Sequence, residues 1–195
     1  MFGWFTKKKP EAPYDDRVWI DMGARLDALV REARAGGPLL ILSFFPATEA
    51  AVHAALAAGG VATSSIRHPT PWTGPVVVAR ADTLRDLIGE LPADLHVIYA
   101  EHHPLPAENR ASLDDLAART SARPVFFTAL DEPLMKTFGG DRITALMVNL
   151  GMGRDEPVEH VLVKQSLANA MEKIAAKVKV SRPAPSAAEW FERHL

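Results

Sequence analysis

Three adjacent residues, Glu101, His102 and His103, are the strongest candidates for chemistry in this sequence. They follow the apolar run at residues 95–99, which predicts a buried strand, and α/β sheets bind ligands at the carboxyl ends of their strands. A carboxylate beside two imidazoles could hold a metal ion or exchange protons during hydrolysis. Because adjacent side chains of an extended strand point to opposite faces, we prefer the interpretation that these residues form a solvated loop.

Other motifs for nucleotide or nucleophile chemistry are absent from these 195 residues. There is no G-x-x-x-x-G-K-[ST] phosphate-binding loop, and the strand–turn–helix candidate at residues 43–48 has neither glycine nor lysine. There is no G-x-S-x-G nucleophile elbow. The lack of cysteine excludes disulfides, thiolate nucleophiles and cysteine metal sites. We therefore expect no cofactor.

The bulk composition is that of an ordinary globular chain. Hydrophobic residues make up 48%, charged residues 24%, and the formal net charge is −2. Because no basic stripe with interleaved aromatic residues is present beyond the first few residues, nucleic acid is not an expected partner. No apolar run approaches the about 20 residues that cross a bilayer, and no signal-peptide core is present. These observations predict a cytoplasmic protein.

The N-terminal tail, M-F-G-W-F-T-K-K-K-P, combines aromatic and basic side chains. Such a tail could touch an anionic membrane surface, where each lysine contributes about 1 kcal/mol. The alternative is a charged tail whose aromatic residues pack on a neighbour. We expect at most a weak peripheral contact with the inner membrane, made by Phe2, Trp4, Phe5, Lys7, Lys8 and Lys9.

Strand and helix patterns alternate between residues 14 and 130, which predicts a parallel sheet with helices on both faces. The predicted strands cover residues 39–45, 61–66, 75–79, 95–99 and 125–129. The predicted helices cover residues 14–34, 49–58, 83–90 and 112–119. We expect Thr48 to be an N-cap and Ser112 to form a capping box with Asp115.

The stretch from residue 130 to residue 180 predicts two amphipathic helices joined by a turn. Gly151 stands where a left-handed C-cap would end the first helix, and Pro157 stands in the first turn of the second. Met171 and Ile174 lie on the apolar face of the second helix. After a linker rich in proline and alanine, residues 186–195 predict a last helix with Trp190 and Phe191 on one side.

Between residues 134 and 163 this stretch reads L-M-x-x-F-G-x-D-R-I-x-x-L-M-x-x-L-G-M-x-x-x-E-P-V-E-H-x-x-V. It resembles SecA, the ATPase motor of bacterial protein export. The family pattern is D-x-L-M-x-x-F-G-x-D-R-I-x-x-L-M-x-x-L-G-M-x-x-x-E-P-I-E-H-x-x-V, and an ordinary helical hairpin does not explain G-x-D-R-I, L-G-M and E-P-V-E-H together. The positions in register are Leu134-Met135, Phe138-Gly139, Asp141-Arg142-Ile143, Leu146-Met147, Leu150-Gly151-Met152, Glu156-Pro157, Glu159-His160 and Val163.

A weaker resemblance extends back to about Asp16 and implies the RecA-like second nucleotide-binding lobe of SecA. Residues 37–42 stand where that family has G-Q-P-V-L-V, and residues 95–103 stand where it has L-H-V-I-G-T-E-R-H. The fold class implied is α/β, of the P-loop NTPase type, followed by a helical hairpin.

The resemblance also implies arginines that this sequence does not keep. The second lobe of the family carries G-R-G-T-D and G-R-x-G-R-Q-G-D, whose arginines reach the γ-phosphate. Here the chain has R-A-D-T-L at residues 80–84 and L-D-D-L-A-A-R-T at residues 113–120, so aspartates and apolar residues stand there. Because such an arginine contributes about 10³–10⁵ in rate, we expect no ATPase activity, although Arg80 or Arg119 could be a surviving finger.

These observations together predict a non-catalytic SecA-like module that acts through protein–protein contacts, in protein export or its regulation. The expected partner is the export machinery or a second copy of the chain. The alternative is a small nucleotide- or metal-dependent hydrolase that uses residues 101–103. The predicted interaction and scaffold residues are Phe138, Asp141, Arg142, Gly151, Glu159, His160, Met171, Ile174, Trp190 and Phe191.

The predicted domain organisation has four parts. Residues 1–13 form a tail, residues 14–130 the RecA-like domain, residues 131–180 the scaffold-like segment, and residues 181–195 a linker with a short helix. The apolar stripe of the scaffold-like segment needs a cover. That cover could be the chain's own sheet, the Trp190 helix folding back, a second copy or another protein.

Overall fold

The computed structural model describes residues 12–66, 69–137, 140, 153–159 and 161–195. Within these ranges a six-stranded parallel sheet has the strand order β1-β8-β7-β2-β5-β3. A separate parallel pair joins β4 to β6. The strands are β1 (Asp15–Trp19), β2 (Leu39–Ser43), β3 (Ser64–Ser65), β4 (Thr70–Pro71), β5 (Val76–Arg80), β6 (Leu87–Ile88), β7 (His96–Tyr99) and β8 (Val125–Ala129).

Helices follow most of these strands. The helices are α1 (Met22–Ala35), α2 (Pro46–Ala58), α3 (Pro106–Ala117), α4 (Pro133–Lys136), α5 (Val161–Lys177) and α6 (Ala187–His194), with a 3₁₀ turn at Ala81–Asp86. In the described part of the chain, no helix is long and apolar enough to cross a membrane.

Side chains of the central strands alternate between two separate cores. Leu39 and Ile41 of β2 pack on one face of the sheet with Leu29 of α1 and Leu56 of α2. Leu40 and Leu42 pack on the opposite face, in a cluster that includes Leu84 of the 3₁₀ turn and Leu116 of α3. Both faces of β2 are therefore buried, as a continuous apolar strand predicts. The predicted fold class, a parallel sheet with helices on both faces, is confirmed.

The prediction of a helix over residues 14–34 is wrong for its first part. Residues 15–19 form edge strand β1, whose Val18 lies opposite Thr128 of β8. Pairing with β8 decides the structure here, because strand preference depends on the neighbouring strand more than on local sequence. Asp21 then caps α1, since its carboxylate accepts a hydrogen bond from the backbone N–H of Ala24 at 2.7 Å.

Two predicted helix caps are also wrong. Helix α2 begins at Pro46, and the Thr48 hydroxyl donates a hydrogen bond to Glu101 at 2.7 Å instead of capping the helix. Helix α3 begins at Pro106, so Ser112 lies within it and its hydroxyl is hydrogen-bonded to Tyr99 at 2.8 Å. In both cases a proline at the first helical turn begins the helix before the polar residue.

Two shorter elements differ from their predicted form. The strand predicted over residues 61–66 is reduced to Ser64–Ser65. The helix predicted over residues 83–90 is a 3₁₀ turn at Ala81–Asp86, followed directly by β6. The turn ends early because β6 pairs with β4.

The second helix of the scaffold-like segment begins later than predicted. Pro157 does not open it, because Val158 forms an antiparallel bridge with Val18 of β1. The Val158 N–H donates to the Val18 carbonyl at 2.8 Å, and the Val18 N–H donates to the Val158 carbonyl at 3.2 Å. This bridge covers part of the edge strand, where unpaired backbone groups would otherwise be exposed.

Candidate functional site

The carboxyl ends of β2 and β7 lie side by side at the centre of the sheet. From β2 the chain continues to strands on one side of the sheet, and from β7 it continues to β8 on the other side. Open α/β sheets bind ligands at such a switch point. The predicted chemical residues Glu101, His102 and His103 follow β7 at this point.

Glu101 is held by three hydrogen bonds at this switch point. One carboxylate oxygen accepts from the backbone N–H groups of Phe44 and Phe45 at 3.0 and 2.9 Å, and the other accepts from the Thr48 hydroxyl at 2.7 Å. Burial raises the pKa of Glu101, while the nearby Arg25 and the three hydrogen bonds act against that rise. The carboxylate therefore ties the end of β7 to the start of α2.

Arg25 of α1 is a buried cation beside this carboxylate. Its guanidinium forms an ion pair with Glu132, which lies between β8 and α4. Burial lowers the pKa of Arg25, and the charges of Glu101 and Asp131 oppose that lowering. The buried charges join α1, the end of β7 and the start of α4, so they connect the sheet to the scaffold-like segment.

A cavity of about 300 Å³ adjoins this network. Arg25, Glu101 and Glu132 contribute to its wall, and most of the remaining wall is apolar. The apolar contributors include Met22, Leu26, Ala51, Pro133, Leu134 and Ala187.

The two imidazoles face different partners. Nε2 of His102 lies 2.7 Å from Oδ1 of Asp16, and its ring stacks on Phe126 with 4.0 Å between ring centroids. Because an ionised carboxylate only accepts hydrogen bonds, Nε2 carries the proton. His103 uses Nδ1 to accept a hydrogen bond from the Leu105 N–H at 3.1 Å. Burial is the main cause that lowers the pKa of His103 to about 4, so this ring is neutral at pH 7.

The preferred interpretation of residues 101–103 as a solvated loop is wrong. Glu101, His102 and His103 are only 3%, 3% and 9% exposed. Each has a polar partner that makes burial possible, namely Thr48, Asp16 and Leu105. Across the residues that the structure describes, no group of three or more His, Asp and Glu side chains is placed to hold a metal ion.

A second groove, of about 350 Å³, lies beyond the carboxyl end of β5. The charged side chains that line it are Arg80, Asp82, Arg85, Glu108 and Asp115. Nε and Nη2 of Arg80 lie 3.0 and 2.5 Å from the two carboxylate oxygens of Asp82, and this contact raises the pKa of Arg80. Asp82 and Asp115 come from the two stretches in which the family resemblance implies phosphate-binding arginines. We call this groove the carboxylate groove.

Arg119, the other candidate for a surviving arginine finger, is engaged elsewhere. Its Nη2 donates a hydrogen bond to the backbone carbonyl of Leu87. Arg119 and Arg80 are therefore both occupied by contacts within the chain, and neither is free to contact a phosphate.

The predicted interaction residues that the structure describes have different environments. Glu159 is exposed and pairs with Arg17 at 3.0 Å. Met171, Ile174 and Trp190 are 5%, 2% and 1% exposed, and Phe191 packs at the edge of the same cluster. The apolar stripe of α5 is thus covered within the chain, by α3 and α4 and by the cluster to which Trp190 belongs. Phe138, Asp141, Arg142, Gly151 and His160 lie outside the described residues, as do the tail residues 1–11.

Sequence reasoning missed Arg25, Glu132 and Asp16, although one signal pointed to Arg25. This arginine falls between Met22 and Leu29, on the face of α1 that carries the apolar residues. A charge on an apolar helical face indicates a buried ion pair or a site. No local signal marks Glu132 or Asp16, since their partners are distant in sequence.

The sheet and the site at its carboxyl edge define a parallel α/β domain with a helical C-terminal segment. Within that class, sequence comparison relates the chain to SecA. The chain is 36% identical over 88 residues to protein translocase subunit SecA of Acidithiobacillus ferrooxidans. It is 34% identical over 88 residues to SecA of Acinetobacter baumannii, and 34% identical over 85 residues to SecA of Desulforapulum autotrophicum. The chain therefore has a SecA-family relationship.

The relationship covers a small part of those proteins. The three alignments include 43%, 43% and 41% of this chain but only 9%, 9% and 10% of the relatives. No protein-family model matches the chain.

Solved structures give weaker similarities. The C-terminal domain of a possible DNA helicase from Lactobacillus plantarum WCFS1 has a TM-score of 0.46 at 17% identity, covering 60% of this chain and 73% of that one. The C-terminal part of the Fun30 ATPase domain has a TM-score of 0.42 at 10% identity, covering 76% of this chain and 54% of that one.

Proposed function

We propose that this chain is a non-catalytic SecA-related module that acts through protein–protein contacts in protein export or its regulation. The observation that carries the non-catalytic part is the carboxylate groove. Among the described residues, its wall contains three carboxylates, Asp82, Glu108 and Asp115. Of its two cations, Arg80 is paired with the Asp82 carboxylate and Arg85 donates to the Asp82 backbone carbonyl.

The carboxylates of this groove would repel the phosphates of a bound nucleotide. A carboxylate and a phosphate charge that are 4 Å apart repel each other by about 4 kcal/mol at an effective dielectric constant of about 20. A catalytic arginine at the same place would instead contribute about 4–7 kcal/mol to transition-state stabilisation. An aspartate in place of such an arginine therefore makes the interaction with the phosphate unfavourable instead of favourable.

The alternative function, a hydrolase at residues 101–103, has less support. Both carboxylate oxygens of Glu101 already accept hydrogen bonds and Nε2 of His102 faces Asp16, so of these groups only Nδ1 of His102, which has no hydrogen-bond partner among the described residues, is left for such a role. A general base or metal ligand needs a free lone pair that faces its substrate or metal.

The SecA relationship supports protein export as the setting, and α5 offers a surface for contact. Glu172, Lys173 and Lys177 are exposed on this helix, while Met171 and Ile174 face inward. Lys173 and Lys177 share one face because they are four residues apart. We propose that this exposed face of α5 contacts a translocase subunit.

Sedimentation velocity with purified SecA from the same organism tests this proposal. We expect a complex with micromolar or tighter affinity, and we expect the double substitution Lys173→Glu and Lys177→Glu to weaken it about tenfold, or about 1.4 kcal/mol. Glu90→Lys, an exposed charge reversal outside α5, is the matched control and should leave the affinity unchanged. No complex at concentrations well above micromolar would remove the export part of the proposal.

A further inference from the structure

The last residues of the chain, 181–195, form a unit that we call the C-terminal strap. Its helix α6 packs Trp190, which is 1% exposed, into a cluster that contains Phe45, Leu134 and Met135. The strap thereby covers the carboxyl edge of the sheet beside the buried charges. Its Ser186, Ala187 and Ala188 also contribute to the wall of the apolar cavity.

Hydrogen bonds of the strap are mostly internal. The Trp190 Nε1–H donates to the Ser181 hydroxyl at 3.1 Å, and the Arg182 N–H donates to Nε2 of His194 at 2.9 Å. Arg193 donates to the Pro183 carbonyl at 3.0 Å.

Only one hydrogen bond between described residues joins the strap to the rest of the chain. The backbone N–H of Ala47 donates to the Pro185 carbonyl at 2.9 Å. The strap is therefore held mainly by apolar and ring contacts, and it can leave the sheet without breaking its own hydrogen bonds. Segments attached in this way open at a lower free energy than the protein core.

The ring of His103 lies under the strap. Its centroid is 5.6 Å from that of Trp190 and 5.5 Å from that of Phe45. Nδ1 of this ring accepts the Leu105 N–H, which requires the neutral ring, and the docked strap with Trp190 over the ring adds to the burial that disfavours a charge there. A second proton would remove the acceptor and place a charge between aromatic side chains.

We propose that the C-terminal strap is a releasable cover over the aromatic surface formed by Phe45 and His103, and that protonation of the His103 imidazole releases it. The released state hydrates the charged ring and exposes this aromatic surface. The switch depends only on contacts within this chain.

The direction of the pH effect follows from proton binding. The pKa of His103 is about 4 with the strap docked and near its ordinary value of 6.5 when the ring is in water. Docking is fully favoured above pH 6.5 and is progressively lost as the pH falls towards 4, because only the released state takes up the proton. The release equilibrium should rise about 30-fold between pH 7.5 and pH 5, and about 300-fold at most.

Charged groups from three elements surround this ring. His194 of the strap stacks on Trp190 at 4.5 Å, and a proton added to its ring would oppose protonation of His103. On the other side, His103 contributes to the carboxylate groove. The charged groups there are Arg80, Asp82 and Arg85 beyond β5, and Glu108 and Asp115 of α3. Burial outweighs them as the cause of the lowered pKa.

Fluorine NMR of the full chain labelled with 5-fluorotryptophan tests the proposal. The chain has four tryptophans, and Trp190→Phe assigns the strap resonance. We expect one Trp190 signal from the released strap and one from the docked strap. The ratio of released to docked signal should rise about 30-fold from pH 7.5 to pH 5. His103→Asn keeps a hydrogen-bond acceptor but does not titrate, so its ratio should be independent of pH. His53→Asn, which changes a histidine remote from the strap, should behave as the wild type does.

Three results would overturn the proposal. The first is a wild-type ratio that does not change with pH, and the second is an unchanged pH dependence in His103→Asn. The third is a Trp19 signal that moves together with the Trp190 signal, because that result means global acid unfolding. If His103→Asn does not fold, the ring carbon resonances of wild-type His103 must titrate with the same midpoint as strap release. A different midpoint contradicts the proposal.

Discussion

Replacing Arg25 with methionine is expected to lower the free energy of unfolding by about 3–5 kcal/mol. Arg25 is 3% exposed and balances the buried carboxylates of Glu132 and Glu101. Removing the cation leaves the buried Glu132 carboxylate without its ion-pair partner and Glu101 without a neighbouring positive charge, which costs more than the lost pair itself contributed. Urea denaturation monitored by circular dichroism measures the change.

Two further variants separate the buried charge from simple loss of packing. Adding Glu132→Gln to Arg25→Met should recover part of the loss, because one unpaired charge is removed. Arg34→Met, an exposed arginine of the same helix, should cost less than about 1 kcal/mol. If Arg25→Met costs no more than Arg34→Met, the buried network does not join the sheet to the scaffold-like segment as described.

Replacing Trp190 with alanine is expected to lower the free energy of unfolding by about 2 kcal/mol, because the loss cannot exceed the free energy with which the strap docks. Trp190 is the largest side chain of the strap that packs against the end of the sheet, and it contacts His103 and Phe191. Without it the strap loses most of its apolar attachment. Hydrogen-exchange mass spectrometry should therefore show lost protection confined to residues 181–195 and the residues beneath them.

Leu195→Ala is the matched control in the same strap. Leu195 is 55% exposed, so its truncation should change stability by less than about 0.5 kcal/mol. Loss of protection throughout the sheet in Trp190→Ala would contradict the view that the strap is a separate unit.

The central strands could be predicted from sequence because their signal is local. Residues 39–42 and 125–127 are unbroken apolar runs, and the strands that contain them are buried along their whole length. Strand β1 could not be predicted in this way, since Asp15, Asp16 and Arg17 resemble the polar start of a helix. Its structure is decided by pairing with β8, more than 100 residues later in the chain.

In the candidate site, too, features set by neighbouring residues could be predicted, and features set by residues distant in sequence could not. Sequence placed residues 101–103 correctly at the end of a strand, because the apolar run before them is local. Their burial depends on Thr48 and Asp16, which are 53 and 86 residues away in sequence. Sequence alone showed aspartates in the two stretches where the resemblance implies arginines. The structure adds that Asp82 and Asp115, one from each stretch, lie in the wall of the same groove.

Isothermal titration calorimetry of the full chain with MgATP tests most directly the central claim that this SecA-related chain does not bind nucleotide. The carboxylate groove predicts no measurable binding of MgATP or MgADP at micromolar to millimolar nucleotide, with SecA from the same organism as the positive control. A micromolar dissociation constant that Arg80→Ala abolishes would contradict the account, because it would mean that Arg80 leaves Asp82 to bind a phosphate.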